Sequence, residues 1–172
     1  SEKTDWFIQN ICTWEWNNQT DIGKTFASSI EEKIAEFPEW EKEICMYWER
    51  WEDMIGGAVE GMLDWICELK KAGYKVYGLS NWSAETFPLV KDKFPVFKMM
   101  DGIVISGEEL IAKPDHRIYQ ILLNRYNLQA NECVFVDDRQ GNIDAAKELG
   151  IHGITFINCE QAKNAFYHII KN

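Results

Sequence analysis

The sequence predicts an α/β fold, in which a Rossmann-like parallel sheet with helices on both faces carries a small all-helical cap. Apolar residues in the first sixty positions recur every three or four residues, which is typical of helices. After residue 73, short apolar runs alternate with helical segments, which is typical of a parallel sheet with helical crossovers. Seven of the eight tryptophans lie within the first 65 residues. We therefore predict a cap over residues 1–60 and an α/β core over residues 61–172.

Two cap helices follow from the spacing of apolar side chains. The first is predicted over residues 26–37 and ends at Pro38, because proline cannot continue a helix interior. The second is predicted over residues 40–55 and ends at the adjacent glycines 56 and 57. No segment of the cap has the alternating pattern of a strand, so we predict that facing aromatic residues supply most of its burial.

The elements of the α/β core follow in order along the chain. A helix over about residues 58–72 ends at Gly73, since glycine readily adopts the left-handed conformation after a helix. Strands are predicted at residues 75–79, 102–106, 133–137 and 153–157, and helices at 83–91, 115–126, 141–149 and 160–170. Because a crossover between parallel strands is right-handed, this order predicts one parallel sheet covered on both faces.

Length and charge limit the functions open to this chain. Its 172 residues suffice for one domain with an insertion, and 46% hydrophobic residues can form a packed interior. A formal net charge of −10 disfavours nucleic acids and anionic membranes as partners. No apolar run is long enough to cross a bilayer, and the first ten residues do not resemble a signal peptide. The five cysteines are scattered without a C-x-x-C pair, so we expect a cytoplasmic protein. We expect it to be a monomer or a homodimer.

Polar side chains follow three of the predicted strands, at the edge where parallel strands end. Ligands of open parallel sheets bind outside the carboxyl ends of the strands. Hydroxyl and amide groups can bond phosphoryl oxygens, an ammonium group can neutralise them, and carboxylates can hold Mg²⁺. The sequence therefore predicts a phosphate and magnesium site. Its members are Ser80 and Asn81 after the first strand, Lys113 after the second, and Asp137, Asp138 and Asn142 after the third.

Three segments resemble motifs of a known family. Residues 79–81 (Leu-Ser-Asn), 113–119 (Lys-Pro-Asp-His-Arg-Ile-Tyr) and 134–138 (Val-Phe-Val-Asp-Asp) are similar to the second, third and fourth motifs of the haloacid dehalogenase-like hydrolases. The chain resembles the members with a helical cap, which include sugar-phosphate phosphatases and the phosphatase domain of soluble epoxide hydrolases. The resemblance implies Mg²⁺-dependent phosphoryl transfer to an aspartate nucleophile, followed by hydrolysis of the aspartyl phosphate.

The resemblance also implies a role for each site residue. Ser80 and Asn81 would bind the phosphoryl group, and Lys113 would stabilise charge on both the nucleophile and the phosphate. Asp138 would hold Mg²⁺ directly or through water, while Asp137 and Asn142 would support the metal loop.

The family's nucleophile does not have a counterpart in this sequence. In related proteins two aspartates spaced D-x-D end a first strand that precedes the cap. Here Asp5 precedes a helical pattern, Asp21 lies in a cap loop without an upstream strand, and Asp101 comes before its apolar run. Since the family's first strand lies between the strands ending at Ser80 and Asp137, its omission would leave backbone groups unpaired. We expect a preceding segment to supply this strand and expect the present chain to be inactive alone; a natural pseudoenzyme or a phosphate-ligand binding module is the alternative.

The acidic pair after the third strand bears on the reaction type. A metal-independent 2-haloacid dehalogenase is a further alternative, but true dehalogenases usually carry serine and asparagine in that loop. Asp137 and Asp138 therefore favour a phosphatase. A smaller departure is Leu110, which stands where related motifs often have glycine.

The cap suggests a small and specific substrate, which we expect to be a phosphorylated metabolite similar to a sugar phosphate. Residues near its presumed opening could reach the site and exclude water during transfer. The predicted substrate-binding residues are Trp14, Trp16, Asn17 and Asp21 of the cap, beside Ser80, Asn81 and Trp82 of the α/β core.

Overall fold

The computed structural model describes residues 2–171. Up to Met54 the described residues form helices joined by short turns. The cap helices are α1 (Glu2–Asn10), α2 (Trp14–Asn18), α3 (Phe26–Glu36) and α4 (Glu41–Glu49), with short 3-10 helices at Thr20–Ile22, Pro38–Trp40 and Trp51–Met54. Thr25 begins α3 by accepting a hydrogen bond from the Ser28 N–H at 3.2 Å. Such threonine caps satisfy backbone donors that a helix leaves free at its start.

The second predicted cap helix is shorter than its apolar pattern indicates. It ends at Glu49, because Arg50 leaves the helical conformation with φ −112° and ψ 22°. The chain then re-enters a 3-10 turn that brings Trp51 against Trp82, with ring centroids 6.1 Å apart. The continuous helix to residue 55 was therefore wrong, since a contact with the α/β core replaces the last helical turns.

The remaining residues form four strands, seven α-helices and a 3-10 helix at Ala130–Glu132 within the described part of the chain. They are α5 (Met62–Lys71), β1 (Tyr77–Ser80), α6 (Phe87–Lys91), α7 (Pro95–Met99), β2 (Gly102–Ile105), α8 (Ser106–Glu109), α9 (His116–Arg125), β3 (Val134–Asp137), α10 (Gln140–Glu148), β4 (His152–Thr155) and α11 (Cys159–Ile169). None of the helices in residues 2–171 is long and apolar enough to cross a membrane.

Two helix starts differ from the sequence prediction for identifiable backbone reasons. Gly61 adopts a left-handed conformation with φ 75°, so α5 begins at Met62 rather than near residue 58. Proline lacks an N–H and clashes with the preceding helical turn, so it is accepted only near a helix start. Pro88 therefore places the start of α6 at Phe87 rather than Ser83, and Pro95 begins α7, which the apolar pattern missed.

The four strands form two parallel pairs. β1 pairs with β2, so that Ser80 lies beside Ile105, and β3 pairs with β4, so that Asp137 lies beside Thr155. Within residues 2–171, no hydrogen-bonded ladder joins β1 to β3. Both pairs nevertheless belong to one layer, because Leu79 of β1 and Phe135 of β3 pack against the same hydrophobic cluster.

Helices cover both faces of this layer. On one face, Ile118 and Tyr119 of α9 lie fully buried with Ala146 of α10. On the other face, Trp65 of α5 and Phe166 of α11 pack together with rings 5.9 Å apart and contact the β3–β4 pair. The predicted α/β class with a parallel arrangement is confirmed, although the sheet is divided between β1 and β3.

Gly107 lies in α8 where the helix packs closely against the backbone that follows β1. A Cβ atom at Gly107 would lie 2.4 Å from the Ala84 backbone nitrogen and 2.8 Å from the Trp82 carbonyl oxygen, and backbone atoms cannot easily move aside. We expect Gly107→Ala to lower the free energy of unfolding by about 2 kcal/mol, as overpacking does. Urea denaturation followed by tryptophan fluorescence measures this loss.

Gly141 provides the matched control. A Cβ atom there meets nothing within 4 Å, and the residue lies inside α10. Since alanine favours helices over glycine by about 0.5–1 kcal/mol, Gly141→Ala should hold or raise stability. Equal effects of the two substitutions would contradict the close approach of α8.

Candidate phosphate and metal site

The loop carrying Lys113 is fixed to the end of β1 by the side-chain amide of Asn81. The Asn81 Nδ2 donates to the Lys113 carbonyl oxygen at 3.0 Å, and the Lys113 N–H donates to the Asn81 Oδ1 at 2.8 Å. Two reciprocal bonds define both the position and the orientation of the lysine backbone. Asn81 therefore connects the first two predicted motifs, which are 32 residues apart in the chain.

The Lys113 ammonium group connects β1 to β3. Its Nζ donates to the Leu79 carbonyl oxygen at 2.7 Å and to the Asp137 Oδ2 at 2.7 Å. The lysine and aspartate side chains are only 9% and 7% exposed. An ammonium has three N–H donors, so these two bonds leave one donor that neither of them uses. The predicted convergence of the lysine and the acidic loop is thus present in the structure.

Asp137 is engaged by neighbours on both carboxylate oxygens. Its Oδ1 accepts from the Arg139 N–H at 2.9 Å and from the Asn142 Nδ2 at 2.8 Å, while its Oδ2 accepts from Lys113. Asn142 is buried, and its carbonyl oxygen accepts from the Tyr119 hydroxyl at 2.8 Å. These bonds make Asp137 and Asn142 a frame for the loop after β3.

Asp138 follows this frame and has an exposed side chain. Carboxylate oxygen is a ligand that Mg²⁺ prefers, and protein-bound Mg²⁺ often keeps several waters beside one or two carboxylates. The residue therefore fits a metal ligand, with Asp137 beside it. Residues 2–171 contain no group of three or more acidic, histidine or cysteine side chains arranged to hold a metal ion, so water or substrate oxygens would have to complete the coordination.

A cavity of about 360 Å³ lies between the cap and the α/β core. Its volume is near the lower end for small-molecule sites, which favours a compact ligand. The cap wall consists of Trp14, Glu15, Asn18, Gln19, Asp21 and Ile22. The opposite wall consists of Asn81, Ala112, Lys113, Pro114 and Arg139.

Asp21 is a buried acid on the cap wall. Its residue is 8% exposed, and burial raises the pKa of its carboxyl group to about 6, although a hydrogen bond from the Ser83 backbone opposes that shift. A carboxyl group whose pKa is perturbed by burial in a cleft is a candidate functional group. The sequence predicts Asp21 among the substrate-binding residues, and the structure places it on the cavity wall beside Asn18.

Four predicted substrate-binding residues do not line this cavity, and three of them, Trp16, Asn17 and Trp82, have other contacts. Trp16 is 4% exposed and donates its indole N–H to the Ser29 carbonyl oxygen at 3.2 Å, so it belongs to the cap interior. Asn17 accepts a hydrogen bond from the Tyr47 hydroxyl at 3.1 Å. Trp82 donates to the Thr86 hydroxyl at 3.0 Å. Internal packing and hydrogen bonding occupy these three side chains.

The remaining predicted residues are divided between the wall and the strand ends. Trp14 lines the cavity and is 54% exposed. Ser80 is half-buried at the end of β1, next to Asn81 but outside the cavity wall.

Arg139 lines the cavity but was absent from the sequence prediction. Its guanidinium lies 4.6 Å from the centre of the Trp14 ring, a cation–π contact between the α/β core and the cap. The available signal was its position directly after the acidic pair, at the carboxyl end of a strand. The partner ring could not have been identified, because cap and core meet only through tertiary packing.

The sequence matches a protein family model and several curated proteins. A family model described as haloacid dehalogenase-like hydrolase matches residues 7–150. The sesquiterpene phosphatase astK of Aspergillus oryzae is 33% identical over 93 residues, which are 54% of this chain and 47% of that protein. Acyl-CoA dehydrogenase family member 10 of Mus musculus is 38% identical over 94 residues, 52% of this chain and 8% of that protein.

Further matches include a dehalogenase and a solved structure. The (S)-2-haloacid dehalogenase 4A of Burkholderia cepacia is 30% identical over 87 residues, 51% of this chain and 38% of that protein. The aligned chain thus spans less than half of each of these curated relatives. A HAD family enzyme from Bacteroides thetaiotaomicron, crystallised with magnesium and inorganic phosphate, has a TM-score of 0.75 at 23% identity, covering 95% of this chain and 87% of that one. The structural match supports the fold.

The buried pair of Lys113 and Asp137 should be important for stability as well as position. Removing one partner of a buried ion pair leaves an uncompensated charge, which typically lowers the free energy of unfolding by about 3–5 kcal/mol. We expect a loss of this size in Lys113→Met, measured by urea denaturation. Asp137→Asn in the same background should restore part of it, because the remaining charge is then absent.

The exposed pair of Arg50 and Asp53 is the control. Its side chains are 66% and 61% exposed, so Arg50→Met should change stability by less than about 1 kcal/mol. A Lys113→Met loss no larger than that of Arg50→Met would show that the ammonium does not join the two strand pairs.

Asp21 should make stability depend on pH in an identifiable window. Because its folded-state pKa is about 6 against an ordinary value of 3.8, the folded protein holds this proton more tightly than the unfolded chain does. Its contribution to the free energy of unfolding should therefore decrease from about pH 4 to pH 6. Asp21→Asn should remove this decrease and make the protein more stable than wild type at pH 7.5, by up to about 3 kcal/mol.

Urea denaturation of both proteins at pH 4.5 and pH 7.5 measures the difference. Asp5→Asn, on an exposed part of α1, controls for the change in net charge. If Asp21→Asn and wild type respond to pH in parallel, the burial of an ionised Asp21 does not weaken the fold.

Proposed function

The chain belongs to the haloacid dehalogenase-like hydrolase family, and we propose that it forms the body of a Mg²⁺-dependent phosphatase acting on a small phosphate ester. The observation that carries this proposal is the contact of Lys113 with both strand ends, 2.7 Å from Leu79 O and 2.7 Å from Asp137 Oδ2. This contact brings together an ammonium, an amide and the acidic loop after β3. Asn81, Lys113 and Arg139 from these elements line the cavity of about 360 Å³.

In this proposal the chain's own residues bind and orient the phosphoryl group. Ser80 supplies a hydroxyl, and Asn81 supports the lysine loop. The third N–H of the Lys113 ammonium would donate to a phosphoryl oxygen. Donors positioned in advance stabilise charge as it develops during transfer. Asp138, beside the frame of Asp137 and Asn142, would hold Mg²⁺, and the ion would add positive charge next to the phosphoryl oxygens.

The phosphoryl acceptor is the aspartate nucleophile of the family. Within residues 2–171, no aspartate ends a strand that precedes the cap. The interval between β1 and β3 is the place where a strand carrying that aspartate would meet Lys113, and its backbone would pair with both neighbours. Water would then hydrolyse the aspartyl phosphate and release inorganic phosphate.

Magnesium and phosphate in the related Bacteroides enzyme, and the phosphatase activity named for the Aspergillus relative, support this proposal. The Burkholderia relative is named as a 2-haloacid dehalogenase, so dehalogenation is the second candidate reaction. The observation that favours phosphoryl transfer here is the exposed Asp138 carboxylate beside Asp137, because a halide-releasing reaction needs no metal ligand at this position.

Asp138→Asn tests the metal role in the polypeptide that includes the nucleophile-bearing strand. We expect Mg²⁺-dependent phosphate release to decrease by at least about 100-fold, because the amide removes the negative charge that holds the ion. A colorimetric phosphate assay over a panel of phosphate monoesters measures the rate. Addition of a chelator to wild type should abolish release, and excess Mg²⁺ should restore it.

Asp144→Asn is the matched control, since Asp144 lies on the exposed side of α10 and only accepts a bond from Gln140. Its activity should equal that of wild type. Halide release from a 2-haloacid that survives the chelator would instead support the dehalogenase. Absence of both activities, together with no Mg²⁺-dependent thermal shift on tungstate addition, would support a non-catalytic protein.

A further inference from the structure

We propose that Arg139 determines specificity by binding a second anionic group, a carboxylate or a further phosphate, on the part of the substrate that leaves. The inference rests on the proposed phosphatase function, which places the transferred phosphoryl group at Lys113 and Asn81. It adds a substrate class to that function: a compact phosphate monoester whose organic part is itself negatively charged.

The first observation is that Arg139 is the exception among the arginines. Of the four arginines in the sequence, three form ion pairs, with Asp53, Asp115 and Glu109 as partners. Across residues 2–171, Arg139 has no carboxylate within ion-pair distance, although the chain has 28 acidic residues. A guanidinium that remains unpaired in so acidic a protein, on a cavity wall, is available to an anionic ligand.

The second observation is that Trp14 fixes this guanidinium without neutralising it. The Arg139 group lies 4.6 Å from the centre of the Trp14 ring. Stacking on a ring face restrains the planar group while its N–H donors remain at its edge. Those donors match the two oxygens of a carboxylate or phosphate. Trp14 is also 54% exposed, so its ring lies at the surface and not in the cap interior.

The third observation concerns the distribution of charge around the cavity. Asp137 forms an ion pair with Lys113 at 2.7 Å, so of the two cations on this wall Arg139 is the one without an acidic partner. Glu15 and Asp21 line the opposite wall. An anionic substituent in the cavity is therefore attracted to Arg139 and repelled by the cap carboxylates. Attraction on one side and repulsion on the other provide orientation as well as affinity.

A pair of similar esters tests the proposal by equilibrium binding. 2-Phosphoglycolate carries a carboxylate where ethyl phosphate carries a methyl group, and both contain the same phosphate monoester. The titration uses the chain without the nucleophile-bearing strand, so the esters are bound and not hydrolysed. By calorimetry with Mg²⁺ present, we expect this wild-type chain to bind 2-phosphoglycolate at least about tenfold more tightly than ethyl phosphate, as expected for a charge-assisted pair. Arg139→Met should remove the preference and leave the affinity for ethyl phosphate unchanged. Arg139→Lys should keep part of it, since the charge remains but the planar fork does not.

Arg117→Met is the control, because Arg117 is exposed on α9 and paired with Asp115. It should keep the wild-type preference. Trp14→Leu should reduce the preference by lessening the restraint on the guanidinium, and denaturation midpoints establish that each variant is folded.

The outcomes distinguish the two proposals. Equal binding of both esters by wild type overturns the role of Arg139 and leaves the phosphatase function standing. An Arg139→Met variant that loses affinity for both esters equally shows that the guanidinium contacts the shared phosphoryl group, which also overturns this proposal. If neither ester nor inorganic phosphate binds in the presence of Mg²⁺, the phosphate site itself is refuted.

Discussion

The ammonium group of Lys113 is the constraint on which the site depends. It bonds the Leu79 carbonyl oxygen, one residue before the end of β1, and the Asp137 side chain at the end of β3, so within residues 2–171 it spans two strand pairs that no backbone ladder joins. The backbone groups at an unpaired strand edge do not by themselves fix where the neighbouring strand lies. The lysine therefore fixes the relative position of the two motifs, and Asn81 in turn fixes the lysine.

Much of the α/β core could be predicted because its signals are local. The apolar runs identified all four strands, and the rule that parallel strands present their carboxyl ends together brought Lys113 to Asp137 without any distance being known. Boundaries were less predictable, because single residues determine them. Pro88 moves the start of α6 to Phe87, and Gly61 moves the start of α5 to Met62. The spacing of apolar residues along a helix shows neither effect.

In the cap, the sequence could not predict which side chains face the cavity. Trp14 and Trp16 were equivalent candidates, yet one lines the cavity and the other is buried in the cap. Two positions apart on a helix correspond to a rotation of about 200°, so the two rings must point in nearly opposite directions. Which ring faces the cavity depends on where α2 sits on its neighbours. The partner of Arg139 and the burial of Asp21 are tertiary features of the same kind.

The backbone at Leu110, where the α/β core contacts the cap, is strained. Leu110 adopts φ 59°, a left-handed conformation that is uncommon for residues other than glycine. A Cβ atom at Gly23 would lie 2.2 Å from the Leu110 Cδ2, so the leucine side chain rests directly on the bare backbone of the cap turn. Glycine at position 110 would relieve the backbone but remove this contact. The Leu110 side chain, although 64% exposed, thus gives a packing contact between the α/β core and the cap, which Arg139 and Trp14 also join.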